Sequence, residues 1–133
     1  MTVHAFRSLL VASVGAFLLF NATPGDARGW LETETAESTV SVSQLSREGQ
    51  QTYRRIYSGG PFPYEKDGAY FGNRERLLPI EKRGYYREYT VKTRGIRSRG
   101  ARRIVCGGHV PTRPVACYYT DRHYSEFKRI IDP

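Results

Sequence analysis

Two hydrophobic periods divide this chain. Leu45, Tyr53, Ile56 and Tyr57 recur at helical spacing, which gives a helix over REGQQTYRRIY a single apolar face. Ser46 stands where a side-chain oxygen can cap that helix. Glu48 falls in its first turn and Arg54 and Arg55 in its last, each at the favourable end of the helix dipole. Gly59–Gly60 supply the stop, and Gly49 is the one interior residue that opposes the helix. PFPY then reads as a rigid loop and KDG as a turn. Downstream the period changes to two. Tyr85–Val91, Arg103–Cys106 and Val115–Thr120 are rich in aromatic and β-branched residues, and Phe127–Ile131 is a shorter strand candidate. A helix followed by several antiparallel strands predicts an α+β fold, with one N-terminal helix packed on a small twisted antiparallel sheet.

The N-terminal stretch follows neither period. His4 and Arg7 precede an apolar run of 12 residues, Leu9–Phe20, and small residues follow in ATPGDARG. That order is expected of a secretory signal peptide over 1–27, cleaved after Ala27, and the run is too short to span a bilayer. Residues 28–42 are polar, acidic and Thr/Ser-rich, and read as a loosely ordered leader. Residues 43–133 form the single folded domain that 133 residues allow.

Charge sharpens the picture. The chain carries a formal net charge of +8, and removal of Arg7 and Asp26 with the signal peptide leaves it unchanged. Between Glu88 and Asp121 there is no acidic residue, whereas Lys92, Arg94, Arg97, Arg99, Arg102, Arg103 and Arg113 all lie there. Such a field concentrates polyanions and speeds their encounter. It serves an RNA-cleaving enzyme or a non-catalytic cationic protein that binds RNA or membranes equally well. The two cysteines, Cys106 and Cys117, have one way to pair, and an oxidising compartment favours it. His109 lies between them, but the spacing matches no zinc pattern, and no Asp/Glu/His cluster is fit to hold magnesium or zinc.

Strand alternation puts Tyr86, Glu88 and Thr90 on one face and Arg87 and Tyr89 on the other. The pattern alone leaves Glu88 open between a solvated-face glutamate and a working carboxylate. His123 differs from His4 and His109 in standing within an aromatic-rich segment, and an imidazole there can hold a proton and give it up near neutrality. A carboxylate base, an imidazole acid and paired guanidiniums suffice, without metal, for attack on an RNA phosphodiester by its own 2′-hydroxyl.

In this order, GGPFPYEKDG, YFGNRERLLP, YYREYTV, RSRGARRIV and DRHYSEF resemble the small secreted guanyl-specific ribonucleases of bacteria. That family includes the Streptomyces guanyl ribonucleases and, more distantly, barnase. The resemblance runs from about Leu45 to Ile131. It implies the microbial ribonuclease fold and cleavage of single-stranded RNA 3′ to guanosine through a 2′,3′-cyclic phosphate. Carried over residue by residue, it makes Glu88 the general base and His123 the general acid. Arg99 and Arg103 become phosphate-binding residues, and Tyr124 a phosphate hydrogen-bonding one. Guanine recognition falls to Phe71, Asn73, Arg74 and Glu75, with the Glu75 carboxylate accepting from N1–H and N2–H and backbone amides around Asn73 reaching O6. No cofactor is implied and DNA is not expected as a substrate. A monomer is expected, and a barstar-like protein inhibitor is a partner the family admits. Two departures stand out: Gly72 replaces a bulkier polar residue of the most similar family member, and the HVPTRPVA loop between the cysteines is long and basic.

Overall fold

The helix forms where the apolar spacing puts it, and its ends obey the local chemistry. In the computed structural model, which describes residues 37–132, α1 spans Arg47–Ser58. The Ser46 hydroxyl accepts from the Gly49 amide at 3.1 Å, and Gly59 turns left-handed at φ 80° to close the C-terminus. Gly49 has a packing reason: a Cβ there would lie 3.2 Å from that of Leu45, beneath the helix. The apolar run at 9–20 and the expected cleavage point lie outside the described residues.

Six strands follow the chain as β1 (Thr39–Ser41), β2 (Ala69–Tyr70), β3 (Tyr86–Thr90), β4 (Arg103–Gly107), β5 (Ala116–Thr120) and β6 (Lys128–Ile131). They pair in the order β1-β6-β5-β4-β3-β2, every neighbour antiparallel except β1 with β6. The four strands read from the period-two pattern are present with ends shifted by at most one residue. β1 and β2 were not legible in it. β1 comprises the last part of the stretch read as a loose leader, so residues 39–41 instead form a sheet edge, with Thr39 opposite Arg129 and Ser41 opposite Ile131. Three residues are too few to display a period, and the parallel partner lies at the other end of the chain.

The register sorts side chains cleanly. One face carries Tyr89, Ile104, Cys106 and Cys117, which pack with Leu45, Tyr53 and Ile56 from the helix side. Full burial of a side chain such as Ile56, 1% exposed, contributes about 1.5–3 kcal/mol. The other face carries Tyr86, Val105 and Tyr118, covered only by the loops that bring Phe71, Leu78, Tyr124 and Phe127. A face covered by loops rather than by a helix is where a cleft can open.

Cys106 and Cys117 sit directly opposite each other in the β4–β5 register and are joined by a disulfide within the helix-side core. Closing a loop of this length stabilises by roughly 3 kcal/mol in the chain-entropy account. Replacing both cysteines with Ala should therefore lower the melting temperature by about 10 °C or more. Differential scanning calorimetry checks this, and an unchanged melting temperature would show that the bridge stabilises nothing.

Six tyrosines are shifted upward, Tyr53, Tyr86, Tyr89, Tyr118, Tyr119 and Tyr124, in each case chiefly because burial disfavours the phenolate. The unfolded chain releases these protons near the ordinary value of about 10, while the folded chain retains them. Stability is therefore full below about pH 10 and falls as pH rises beyond it. Absorbance at 295 nm should show these phenolates emerging together with loss of near-UV circular dichroism. Ionisation of all ten tyrosines before any unfolding would contradict this.

Candidate active site

β3 delivers Glu88 to the loop-covered face between Tyr86 and Thr90, as alternation requires. Its cross-strand neighbour is Val105, and Arg103 lies opposite Thr90 two pairs further along, on the same face. Both Glu88 oxygens are engaged. Oε2 accepts from the Tyr124 hydroxyl at 2.6 Å, and Oε1 accepts from Arg99 Nη2 at 3.3 Å. Arg99 is held in turn by Thr90, whose Oγ1 accepts from Nε at 3.0 Å.

Arg103 is only 3% exposed, so its charge needs partners. Nη1 donates to the carbonyls of Gly100 and Arg102 at 2.9 and 2.8 Å and more weakly to that of Arg99, while Nε donates to the Tyr124 hydroxyl at 3.1 Å. Nη2 has no hydrogen-bond partner among the described residues, which leaves one end of a buried cation for an incoming anion. Gly100 suits this cage. Its φ is +65°, and an added Cβ would fall 2.8 Å from both Ile96 Cδ1 and Thr93 Oγ1.

Tyr124 donates to Glu88 and accepts from Arg103. Burial first, then the hydrogen bond to Glu88 and its negative charge, push its phenol up to about 12, so it remains a donor at neutral pH. His123 precedes it and is exposed at the cleft. Both residues adopt left-handed backbone, φ 52° and 70°, which costs about 1–3 kcal/mol each for non-glycine residues. The turn is held by the His123 amide, which donates to the Ala101 carbonyl at 3.1 Å. The same arginine loop thus anchors both Arg103 and the histidine turn.

These groups open onto a cleft of about 420 Å³ whose other wall is the loop Phe71–Glu75. Phe71 stacks on Tyr124, ring centres 5.0 Å apart and 29° from parallel. The Asn73 side chain is spent inside the loop: Nδ2 donates to the Leu78 carbonyl at 2.9 Å, and Oδ1 accepts from the Leu78 amide at 3.1 Å. Asn73 itself is left-handed, φ 48°. The amides of Gly72 to Glu75 have no hydrogen-bond partner among the described residues, so backbone donors remain available at this wall. Arg74 and Glu75 are exposed and line the cleft.

Glu88, His123, Tyr124, Phe71, Asn73, Arg74 and Glu75 therefore border one cavity, and Arg99 and Arg103 reach it through Glu88 and Tyr124. Cys106 and Cys117 lie on the opposite sheet face. Sequence reasoning missed Thr90 as the seat of Arg99, and Asp67, whose Oδ1 accepts from the Thr90 amide at 2.7 Å and fixes the end of β3. Period two does put Thr90 on the Glu88 face, but the Asp67 contact is long-range and leaves no local signal. It also missed Leu77 and Phe127 as lining residues.

The model of the ribonuclease family matches residues 30–131. Guanyl-specific ribonuclease Sa of Kitasatospora aureofaciens is 48% identical over 92 residues, 69% of this chain and 92% of that protein. Guanyl-specific ribonuclease St of Saccharopolyspora erythraea is 45% identical over 92 residues, 69% of this chain and 86% of that protein. Among solved structures, ribonuclease Sa2 in complexes with mononucleotides superposes with a TM-score of 0.65 at 41% identity, covering 72% of this chain and 94% of that one. With the family matched across the helix, the sheet and every loop that borders the cleft, this chain belongs to the ribonuclease family.

Proposed function

We propose that this protein cleaves single-stranded RNA on the 3′ side of guanosine through a 2′,3′-cyclic phosphate. The observation that carries this reading is a carboxylate and an imidazole on one cleft, with a buried, incompletely partnered guanidinium joined to it through Tyr124, beside a loop that offers a carboxylate and free amides. Glu88 takes the 2′-hydroxyl proton as that oxygen attacks the phosphorus. His123 gives a proton to the departing 5′-oxygen. Arg103 Nη2 and Arg99 balance the charge that grows on the phosphorane oxygens, and Tyr124 adds a neutral donor. Because Arg103 and Tyr124 are already fixed by backbone carbonyls and by Glu88, little reorganisation accompanies the charge build-up.

Guanine is read at the Phe71–Glu75 wall. The Glu75 carboxylate accepts from N1–H and N2–H, a donor pair adenine, cytosine and uracil lack, and the amides near Asn73 meet O6. The inward bonds of the Asn73 side chain support this division, since they fix the backbone that does the reading. Phe71 and Arg74 border the base as planar surfaces. Related proteins bear the names of guanyl-specific ribonucleases, and ribonuclease Sa2 has been solved with guanosine-2′-cyclophosphate, which supports the same base preference here. Membership in an enzyme family sets aside the non-catalytic cationic binder that charge alone allowed. Export, by the signal sequence read at 1–27, agrees with the disulfide. A barstar-like inhibitor would have to cover the Glu88–His123 cleft and would compete with RNA; we take the protein as a monomer.

The reaction uses side chains for base and acid, so RNA should be cut in excess EDTA to give 2′,3′-cyclic phosphate ends, and DNA should resist for want of the 2′-hydroxyl. Glu88→Gln and His123→Gln should each slow cleavage by roughly 100-fold or more. A Glu88→Gln variant with near-normal turnover would refute the assignment of the base.

Specificity separates from catalysis in a second measurement. Glu75→Ala should reduce the preference for GpX over ApX dinucleotides by about 10-fold or more, since an unmet donor on guanine costs about 1–3 kcal/mol. Dinucleotide cleavage rates report it, and an unchanged ratio would move recognition away from this loop.

A further inference from the structure

A second cleft of about 530 Å³ lies on the outer side of the wall formed by Phe71–Arg74. None of Glu88, His123 or Tyr124 borders it. Its far side is the turn Glu81–Gly84, so Arg74, Lys82 and Arg83 face it with Glu81 as the lone carboxylate. All four are exposed, which leaves the cations available to a ligand. Tyr70 borders both clefts and is 65% exposed. A ring so open is usually mobile, but this one is held. The Arg87 guanidinium carbon lies 4.7 Å over its centre, and Arg87 is fixed by donating from Nη1 to the Gly68 carbonyl at 2.8 Å. Gly84, left-handed at φ +83°, lies beside the ring, where an added Cβ would come into ordinary contact with it at 3.5 Å.

A fixed, exposed aromatic beside cations is the chemistry that receives an unstacked nucleotide, the ring taking the base and the cations the phosphate. The cavity is of a size to hold one. Resting on the ribonuclease reading given above, we infer that this second cleft binds the nucleotide on the 5′ side of the guanosine. Direction follows from the chemistry. The 3′ neighbour leaves through its 5′-oxygen at His123, in the first cleft. A strand crossing the guanine wall away from Glu88 and His123 runs toward its 5′ end. Gly72 borders both cavities and, lacking a side chain, keeps the crossing low.

The test compares GpU, ApGpU and GpUpU as substrates at low salt. For the unaltered protein, kcat/KM should be about 10-fold higher for ApGpU than for GpU, the order of one base stacked on an aromatic ring together with its phosphate. The double variant Lys82→Ala/Arg83→Ala should leave GpU and GpUpU unchanged and bring ApGpU down by about 5-fold or more, chiefly through KM. Tyr70→Ala should reduce ApGpU further than GpU, and Tyr70→Phe should retain the preference, which separates a lost base platform from a disturbed β2 edge. Equal losses on all three substrates, or a loss confined to GpUpU, would overturn the assignment. Failure of the unaltered protein to cut GpU at all would instead refute the ribonuclease reading, so the two outcomes are distinct.

Discussion

Everything at the working face hangs on the guanidinium of Arg103. A cation almost wholly enclosed by protein must be surrounded by acceptors, and here those acceptors are the carbonyls of residues 99, 100 and 102 and the Tyr124 hydroxyl. The arginine loop is thereby wrapped around its own product, the start of β4. Through Tyr124 the same cation is connected to Glu88, and through the Ala101 carbonyl the loop holds the backbone of His123. Glu88, His123 and Arg103 come from three separate chain segments, and one buried charge makes them a unit. Removing it would leave several carbonyls and the tyrosine without their common partner, which is costlier than losing a phosphate contact alone.

The disposition of the two sheet faces gives this unit its setting. The helix and the disulfide occupy one face, so rigidity is built where nothing has to move or bind. The other face is closed by aromatic side chains from loops, Phe71, Tyr124 and Phe127, whose rings touch one another at 5.0 and 5.9 Å. The Phe71–Glu75 wall is thus continuous with the Glu88–Tyr124–Arg103 cluster through stacked rings, and the two walls of the cleft form one packed assembly.

The helix, the four longer strands and the general α+β plan were legible because each repeats a period long enough to be recognised. So was the side of β3 on which Glu88 lies, since alternation within a strand is a local property. β1 was not, being three residues whose partner is remote in sequence. Thr90 and Asp67 escaped notice because what they do, seating Arg99 and pinning the end of β3, depends on contacts made only after folding. Family resemblance put Asn73 in the loop expected to meet the base, and only the fold shows that its amide is turned inward to fix that loop. The charge pattern foretold an anion-binding surface and not its division: Arg103 is sunk into the protein, while Arg97 and Arg102 in the same short string bond nothing comparable.

The paired left-handed residues at His123 and Tyr124 carry a consequence for how such a chain can change. Positions of this conformation favour glycine, and among other residues asparagine, aspartate and histidine, so of the two it is Tyr124 that stands most against the local preference of the backbone. Natural drift toward greater thermal robustness would therefore tend to erase the Tyr124 phenol before the imidazole.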